Sequence, residues 1–187
     1  MKFHNGRDFV ADDVKYTIDR VMNPDTGSPW QGDASSIDSV EVIDDATVAI
    51  HLNRPDVSIL STLTRRGFTI VPQEEVEAHG DLRQVMVGTG PFKFVEFIPN
   101  SHLILEKNVD YWLEGRPYLD SVEIQVIPDG TARTTALVSG TVDLIESTPA
   151  MDYAIIDADE NLARVGGESA NLRWIVFNQR REPWDRV

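Results

Sequence analysis

Histidine is the side chain in this sequence best suited to acid–base or metal chemistry, and the chain has four of them. A zinc site needs several nitrogen or oxygen ligands that converge from fixed spacings, such as two histidines on one helical turn. No such pair occurs. The histidines are scattered over predicted hairpins and turns, as His4, His51, His79 and His102. We therefore expect surface histidines and no zinc site. The chain has no cysteine, which excludes disulfides, thiol catalysis and cysteine-ligated metals.

A glycine-rich turn, Gly88-Thr89-Gly90, resembles the opening of a dinucleotide-binding loop. Two features argue against that function. The third glycine of the fingerprint would fall at Lys93, and Pro91 blocks the helix that would have to begin there. A tight turn between two domains explains this segment better than a cofactor loop does.

Acidic pairs are the remaining candidates for catalysis, since two convergent carboxylates can act as general acid and base. Each pair here consists of sequence neighbours, which diverge on a helix or a strand. The pairs are Asp12-Asp13, Asp44-Asp45 and Glu74-Glu75, and they are typical of solvated faces and helix caps. The sequence also lacks a Gly-x-Ser-x-Gly elbow and a Walker loop. It therefore predicts neither an enzyme nor a bound cofactor.

The composition is that of a globular protein and removes further function classes. Hydrophobic residues make up 41% of the 187 residues and charged residues 26%, unlike a disordered chain. The formal net charge of −14 argues against nucleic acid as a partner, because phosphates are bound by clustered Lys and Arg. No run of about 18 apolar residues exists, so no membrane span is expected. The start, Met1-Lys2-Phe3-His4, does not resemble a signal peptide, so either the protein is cytoplasmic or its beginning has been removed.

The elements that would position candidate residues are short helices and strands. Residues 11–22 carry an apolar stripe at helical spacing, with Asp12 and Asp13 in a first turn where the helix dipole favours anions. Apolar alternation predicts hairpins at 40–52 and 92–105. Similar patterns predict helices at 57–65, 74–79, 131–139 and 151–157, and strands at 68–71, 122–126, 142–145 and 172–177. The class is mixed α/β with antiparallel hairpins, and Gly88 is the most plausible domain crossover.

Five segments together form a series that is recognisable as a family pattern. They are Phe3-His4-Asn5-Gly6 with the helix after it, Gly88-Thr89-Gly90-Pro91-Phe92, Lys107-Asn108 with Tyr111-Trp112 and 115–120, the strand–helix–strand at 126–144, and Phe177-Asn178 with 183–187. In this order they resemble the extracellular solute-binding proteins of family 5, which serve peptide, nickel and related ABC importers. One departure is Val10, where the family usually has a hydroxyl or amide helix cap, and we expect it to weaken the first helix by about 1 kcal/mol.

The resemblance implies a periplasmic-binding-protein-like type II fold, in which two lobes close around a ligand. On this mapping, residues 1–87 are part of the small extra domain, and residues 88–187 are part of the first lobe and end before the second lobe. Family members extend beyond both ends of such a chain, so we expect an internal piece of a longer periplasmic or extracytoplasmic protein. One lobe would leave most of a ligand exposed to water, so we expect this chain alone to bind a ligand weakly. Unpaired sheet edges also predict self-association.

The resemblance places the ligand cleft near the predicted last strand and the loop after residue 145. The implied ligand-binding residues are Asn171, Arg173 and Trp174 on the strand, Thr148, Pro149 and Met151 in the loop, and Trp30 in a long loop from which it could reach the far end of a ligand. Arg173 interrupts an apolar strand, which suits either a ligand carboxylate or a structural ion pair. Trp174 suits either a stacking wall or the core.

Two functions follow from the resemblance. The first is the substrate-binding component of an ABC importer, which captures oligopeptide or dipeptide-like solutes and delivers them to permease subunits in the membrane. The second is a ligand-sensing or interaction domain of the same fold that signals to a receptor. The neighbouring genes would separate them, since importers are encoded beside permeases and ATPases and sensors beside kinases or receptors.

Overall fold

Short helices alternate with antiparallel strands in the computed structural model, which describes residues 1–80, 82, 86–166, 180 and 182. Its α-helices are α1 (Ala11–Met22), α2 (Ile59–Leu63), α3 (Gln73–His79), α4 (Gly130–Val138) and α5 (Tyr153–Asp157). Its strands are β1 (Ile37–Asp44), β2 (Thr47–Leu52), β3 (Phe92–Ile98), β4 (His102–Lys107) and β5 (Ser121–Gln125). The elements fall into a first unit, Met1–Val126, and a second unit, Ile127–Val187. The boundary predicted at residue 88 concerns the longer fold and stays a prediction.

The core of the first unit forms where the apolar stripe of α1 packs on the β1–β2 hairpin. Strand β1 pairs antiparallel with β2, so that Val40 lies opposite Ile50 and both hairpin predictions, this one and β3–β4, are confirmed. Burial of these side chains removes apolar surface from water, which is the main favourable term in folding. The buried core residues are Ile18, Val21, Ala34, Ile37, Val40 and Phe68.

Helix α1 begins without the usual side-chain cap. Val10 occupies the cap position and has no side chain that can accept a hydrogen bond from the helix. The Asp13 carboxylate, which is buried, accepts the Val10 N–H at 2.9 Å, and Arg7 donates to both oxygens of the same carboxylate. Arg7 also donates to Glu74. These bonds, above all the one to Asp13, raise the pKa of the Arg7 guanidinium, so the start of the helix rests on a permanent ion pair.

Strands β3, β4 and β5 form a second sheet, in that order. The turn that precedes β3 is tied to the N-terminal residues by His4, whose Nδ1 accepts the Gly88 N–H at 3.3 Å and whose Nε2 lies 3.0 Å from the Gly90 carbonyl. Asn108 donates to the same carbonyl at 3.0 Å. His4 is therefore half-buried and structural, which corrects the expectation that every histidine lies on the surface.

Two predicted strands are wrong. Residues 66–68 form a 3₁₀ helix and 69–71 are irregular, because the Val71 N–H donates to the Thr17 hydroxyl at 3.1 Å and not to a neighbouring strand. Residues 142–145 are also irregular, and Leu144 is exposed. The remaining predicted elements within the described residues are confirmed to within a few residues. The strand predicted at 172–177 lies outside the described residues.

A membrane-spanning helix needs both length and a run of apolar residues. Within residues 1–80, 82, 86–166, 180 and 182, no helix has both.

Candidate functional site

The loop that carries Thr148, Pro149 and Met151 lies in the second unit, between α4 and α5. It ends in a 3₁₀ turn, Ala150–Asp152, in which the Asp152 N–H donates to the Pro149 carbonyl at 3.0 Å. Ser147, just before it, has a positive φ of 59°, a conformation that L residues rarely adopt. The loop therefore changes direction sharply at Ser147 and closes again at Asp152. We call residues 147–152 the site loop.

Arg133 of α4 holds the entrance of the site loop through main-chain carbonyls. Its Nη1 donates to Ile127 at 2.8 Å and to Pro128 at 3.0 Å, and its Nη2 donates to Ser147 at 3.2 Å. Because guanidinium is planar and presents its donors in a fixed fork, it sets the distances between the three carbonyl groups that it joins. Arg133 thereby links the chain before α4 to the chain after it.

Two further contacts hold the site loop on α4. The Thr134 hydroxyl donates to Oδ2 of Asp152 at 2.9 Å, and both residues are buried. Gly130 lies under Pro149, where a β-carbon on the glycine would come within 2.6 Å of Pro149 Cγ. Helix α4 itself starts with Asp129, whose carboxylate accepts the Ala132 N–H at 2.7 Å. The loop is thus fixed at its beginning, its middle and its end.

The predicted ligand residues of the site loop, Thr148, Pro149 and Met151, offer one hydroxyl and one thioether. Thr148 and Pro149 are half-buried, whereas Met151 is 80% exposed. An exposed methionine is a flexible, polarizable surface that adapts to different partners. None of these three side chains is a general acid, a general base or an activated nucleophile. The loop can therefore contact a solute, but these residues cannot carry out acid–base or nucleophilic chemistry on it.

An ion pair closes the end of the helix that follows the site loop. Arg164 donates to both oxygens of Asp157, at 2.7 and 2.8 Å, and its guanidinium lies 4.4 Å from the centre of the Tyr153 ring. The hydrogen bond from Arg164 holds the pKa of the Asp157 carboxyl below its ordinary value. The pair is exposed and flanks the loop without entering it.

Trp30 lies in the first unit and is half-buried. Its indole packs against the core around α1 and lies directly on Gly67, where a β-carbon would come within 2.1 Å of the ring. One edge of the ring lines a groove of about 460 Å³ that Arg20 and Arg66 also border. The contact with Gly67 explains why a glycine stands there, and it fixes the indole before any ligand arrives.

The structure leaves the predicted site residues in separate groups. Thr148, Pro149 and Met151 share the site loop, and Trp30 belongs to the other unit. Asn171, Arg173 and Trp174, which the sequence places on a predicted strand, lie outside the described residues. Their ligand contacts stay predictions.

Sequence reasoning missed the three residues that hold the site loop, which are Arg133, Thr134 and Asp152. Two of them, Thr134 and Asp152, are polar residues that are buried in the structure. The glycine at residue 130 was a signal available in the sequence, but it does not identify a partner. Only the folded geometry pairs residue 134 with residue 152.

Comparison with known proteins identifies the family. The family model of the bacterial extracellular solute-binding proteins, family 5, middle region, matches residues 1–187. Glutathione-binding protein GsiB of Salmonella typhimurium is 30% identical over 186 residues, which cover 99% of this chain and 36% of that protein. A Brucella ovis protein assigned by name to ABC transporter peptide-binding proteins is 31% identical over 191 residues, covering 98% of this chain and 36% of its own. This chain therefore spans about a third of the length of these relatives.

Solved structures give the same result. The binding protein AgaA of A. tumefaciens R10, in complex with agropinic acid, superposes with a TM-score of 0.81 at 33% identity, over 85% of this chain and 33% of that one. DppA of Helicobacter pylori, an ABC transporter-associated periplasmic binding protein in complex with the peptide STSA, superposes with a TM-score of 0.76 at 27% identity, over 86% and 35%. The fold is that of part of a type II periplasmic binding protein, and the chain belongs to the bacterial extracellular solute-binding proteins of family 5.

Proposed function

We propose that this chain forms part of the substrate-binding component of an ABC importer, which captures oligopeptide or dipeptide-like solutes outside the cytoplasm and delivers them to a membrane permease. The observation that carries the proposal is the family match over all 187 residues. The peptide class is supported by relatives named for glutathione and for peptides, and by a structural neighbour that holds the peptide STSA. The neighbour with agropinic acid makes an opine the competing ligand class.

The chemistry of the site loop supports a binding function of this kind. A peptide offers main-chain donors and acceptors at regular intervals and variable side chains between them. The Thr148 hydroxyl can exchange hydrogen bonds with the peptide main chain, and Met151 can follow side chains of different shape. Both residues stand on a loop that protein contacts already fix. Such a loop combines a rigid polar contact with an adaptable apolar one.

The remaining assignments extend this proposal to the whole importer component. Residues 1–87 belong to its small extra domain and residues 88–187 to its first lobe. Three residues of the predicted last strand also contact the ligand, through main-chain pairing, a carboxylate contact and ring stacking; they are Asn171, Arg173 and Trp174. Trp30 contacts the far end of a long ligand. A cleft between two lobes buries a ligand far better than one lobe does. The 187-residue chain alone should therefore bind weakly and self-associate through its sheet edges.

Titration calorimetry on the product of the complete gene that encodes these residues tests the proposal. The probes are reduced glutathione, the tetrapeptide Ser-Thr-Ser-Ala and agropinic acid. We expect at least one of the two peptides to bind with a dissociation constant on the order of 1 μM. Binding of agropinic acid alone would overturn the peptide class, and binding of none of the three by a folded protein would contradict the proposed function.

A matched pair of variants tests the contribution of the site loop. Met151→Ala removes an exposed thioether from the loop, and Leu144→Ala removes an equally exposed side chain a few residues before it, since the two are 80% and 81% exposed. We expect only Met151→Ala to weaken peptide binding, by about fivefold. Equal effects of the two substitutions would mean that Met151 does not contact the ligand.

A further inference from the structure

We infer that Arg133, Thr134 and Asp152 are positioning residues that hold the site loop in its ligand-binding geometry before a ligand arrives. This inference rests on the proposed function, since that proposal assigns ligand contact to the loop. Thr134 and Asp152 are buried and Arg133 is half-buried, whereas Met151 is exposed. The three residues act on affinity through the conformation of the loop.

The contacts of Arg133 are those of a main-chain clamp. Among the residues that the structure describes, its hydrogen bonds go to carbonyl oxygens, those of Ile127, Pro128 and Ser147. Its Nε is buried and makes no hydrogen bond within the part of the chain that the structure describes. Hydrogen bonds from a charged donor are stronger than those from a neutral donor. The guanidinium of Arg133 therefore holds the three carbonyls, and the chain segments that carry them, firmly in place. Arg133 therefore fixes where the loop begins.

The bond between Thr134 and Asp152 fixes where the loop ends. Thr134 is 2% exposed and Asp152 is 5% exposed, and the hydroxyl–carboxylate distance is 2.9 Å. A buried carboxylate that loses its donor carries the full penalty of desolvation, so opening this bond is strongly disfavoured. Asp152 also anchors the Ala150–Asp152 turn through its own N–H, which donates to Pro149. One buried bond thus determines the conformation of the residues on which Met151 stands.

The contact of Gly130 with Pro149 fixes the middle of the site loop against α4. A β-carbon at residue 130 would come within 2.6 Å of Pro149 Cγ, so the proline ring sits directly on the helix backbone. With beginning, middle and end held, little conformational freedom remains to be lost when a ligand binds. Pre-organisation of this kind raises affinity without adding a contact.

Thr134→Val tests the inference, and the chain supplies a matched control. Valine keeps the size and branching of threonine but removes the hydroxyl. Thr135→Val makes the same change one residue along α4, where the exposed hydroxyl only donates to Thr131 of its own helix at 3.0 Å. Thr134→Ser restores the hydroxyl. Asp152→Asn keeps the acceptor oxygen and the shape, and it serves as a milder variant if Thr134→Val folds poorly.

Two measurements on the product of the complete gene are needed. The first is amide hydrogen exchange of residues 147–152 without ligand, and the second is affinity for Ser-Thr-Ser-Ala and for glutathione by calorimetry. We expect Thr134→Val to speed exchange in the loop and to lower the affinity for the peptide that binds by about tenfold. Thr134→Ser should restore both quantities, and Thr135→Val should change neither. A loss of global stability alone would not produce rescue by serine together with an effect confined to this loop.

The outcomes separate the inference from the proposed function. Unchanged exchange in Thr134→Val overturns the inference, and so does faster exchange with unchanged affinity, since the loop would then be held without serving binding. An equal effect of Thr135→Val overturns it as well. A wild type that binds neither peptide contradicts the proposed function alone, and the exchange comparison then decides by itself whether Thr134 locks the loop.

Discussion

Within the described residues, the buried side chains of the first unit are mostly apolar and those of the second unit are mostly polar. In the first unit, the buried cluster around α1 is apolar and includes Ile18, Val21 and Phe68. In the described part of the second unit, two of the three buried side chains are polar, those of Thr134 and Asp152, and Ile156 is the third. Apolar packing has no preferred direction, whereas a hydrogen bond requires a distance and an angle.

This difference teaches how each unit is specified. The cluster under α1 in the first unit is specified by apolar volume, so several apolar combinations would fill it. The second unit places its loop through a few directional bonds, so single atoms matter. A loop that must present a fixed surface to a ligand benefits from the second kind of construction, because its conformation is then set to a fraction of an ångström.

The largest effect should come from the apolar core of the first unit. Ile18 is the most deeply buried side chain of α1, at 1% exposure, and its replacement by alanine leaves a cavity. We expect Ile18→Ala to lower the free energy of unfolding by about 3 kcal/mol. Urea unfolding followed by circular dichroism measures this change.

An exposed leucine in the same unit is the control for that substitution. Leu60 of α2 is 76% exposed, so Leu60→Ala removes a similar volume without opening a cavity. It should change the free energy of unfolding by less than about 0.5 kcal/mol. If the two variants lost equal stability, the cluster around α1 would not be the core of the unit.

The next effect concerns the clamp of the second unit. Arg133→Met keeps the length of the side chain but leaves the carbonyls of Ile127, Pro128 and Ser147 without their donor. We expect a loss of about 2 kcal/mol in the free energy of unfolding. Arg54→Met is the control, because Arg54 is exposed and its side chain has a single recorded bond, to the Ser35 hydroxyl. A smaller loss for Arg133→Met than for Arg54→Met would contradict the clamp.

The same contrast explains what could be predicted from the sequence. Helix α1 and both hairpins follow from apolar spacing, because their partners are close in sequence and their period is regular. The family resemblance, confirmed by the match over the whole chain, identified the class of protein. Those predictions rest on the spacing of apolar residues and on motifs, both of which can be seen in a single sequence.

The strands predicted at 68–71 and 142–145 failed because a segment of four residues, three of them apolar, does not reveal whether a neighbouring strand is available. The Val71 N–H donates to the Thr17 hydroxyl, and the Leu144 side chain is exposed to solvent. The contacts of residues 133, 134 and 152 were missed for a related reason. A polar residue on a helix is usually solvated, and only tertiary structure shows that residue 134 is buried opposite a carboxylate. The ligand residues implied at 171–174 stay predictions.

A smaller gain of stability is expected at the start of α1. Val10 caps the helix without a side-chain acceptor, and Asp13 takes over only the bond to the Val10 N–H. The Ala11 and Asp13 N–H groups already donate to the Asp45 and Val10 carbonyls, at 2.9 and 3.1 Å. Val10→Ser supplies an oxygen for the Asp12 N–H, so we expect the free energy of unfolding to rise by about 1 kcal/mol. Thermal unfolding of wild type and variant measures the change. No gain would mean that Asp13 and Arg7 already stabilise the start of the helix fully.

The smallest effect is the pH dependence of one carboxyl group in the first unit. The Ser36 hydroxyl donates to Asp56 at 2.6 Å, and the hydroxyl and N–H of Ser58 donate to it at 2.6 and 2.8 Å. These bonds, that of Ser36 first, lower the pKa of Asp56 from 3.8 to about 2. Because the folded state favours the ionised form, the contribution to stability is complete above about pH 4 and is lost as the pH falls from 4 towards 2.

Asp56→Asn isolates that contribution from those of the other acids. The difference in free energy of unfolding between wild type and variant should be constant from pH 7 to about pH 4 and should shrink below it, because only the wild type still loses a favourable charge there. In a Ser36→Ala background, which lacks the first donor, Asp56→Asn should change the free energy of unfolding less at neutral pH than it does in the wild type. A difference that grows on acidification would mean that the folded state prefers the protonated carboxyl, and the two serines would then not stabilise the charge.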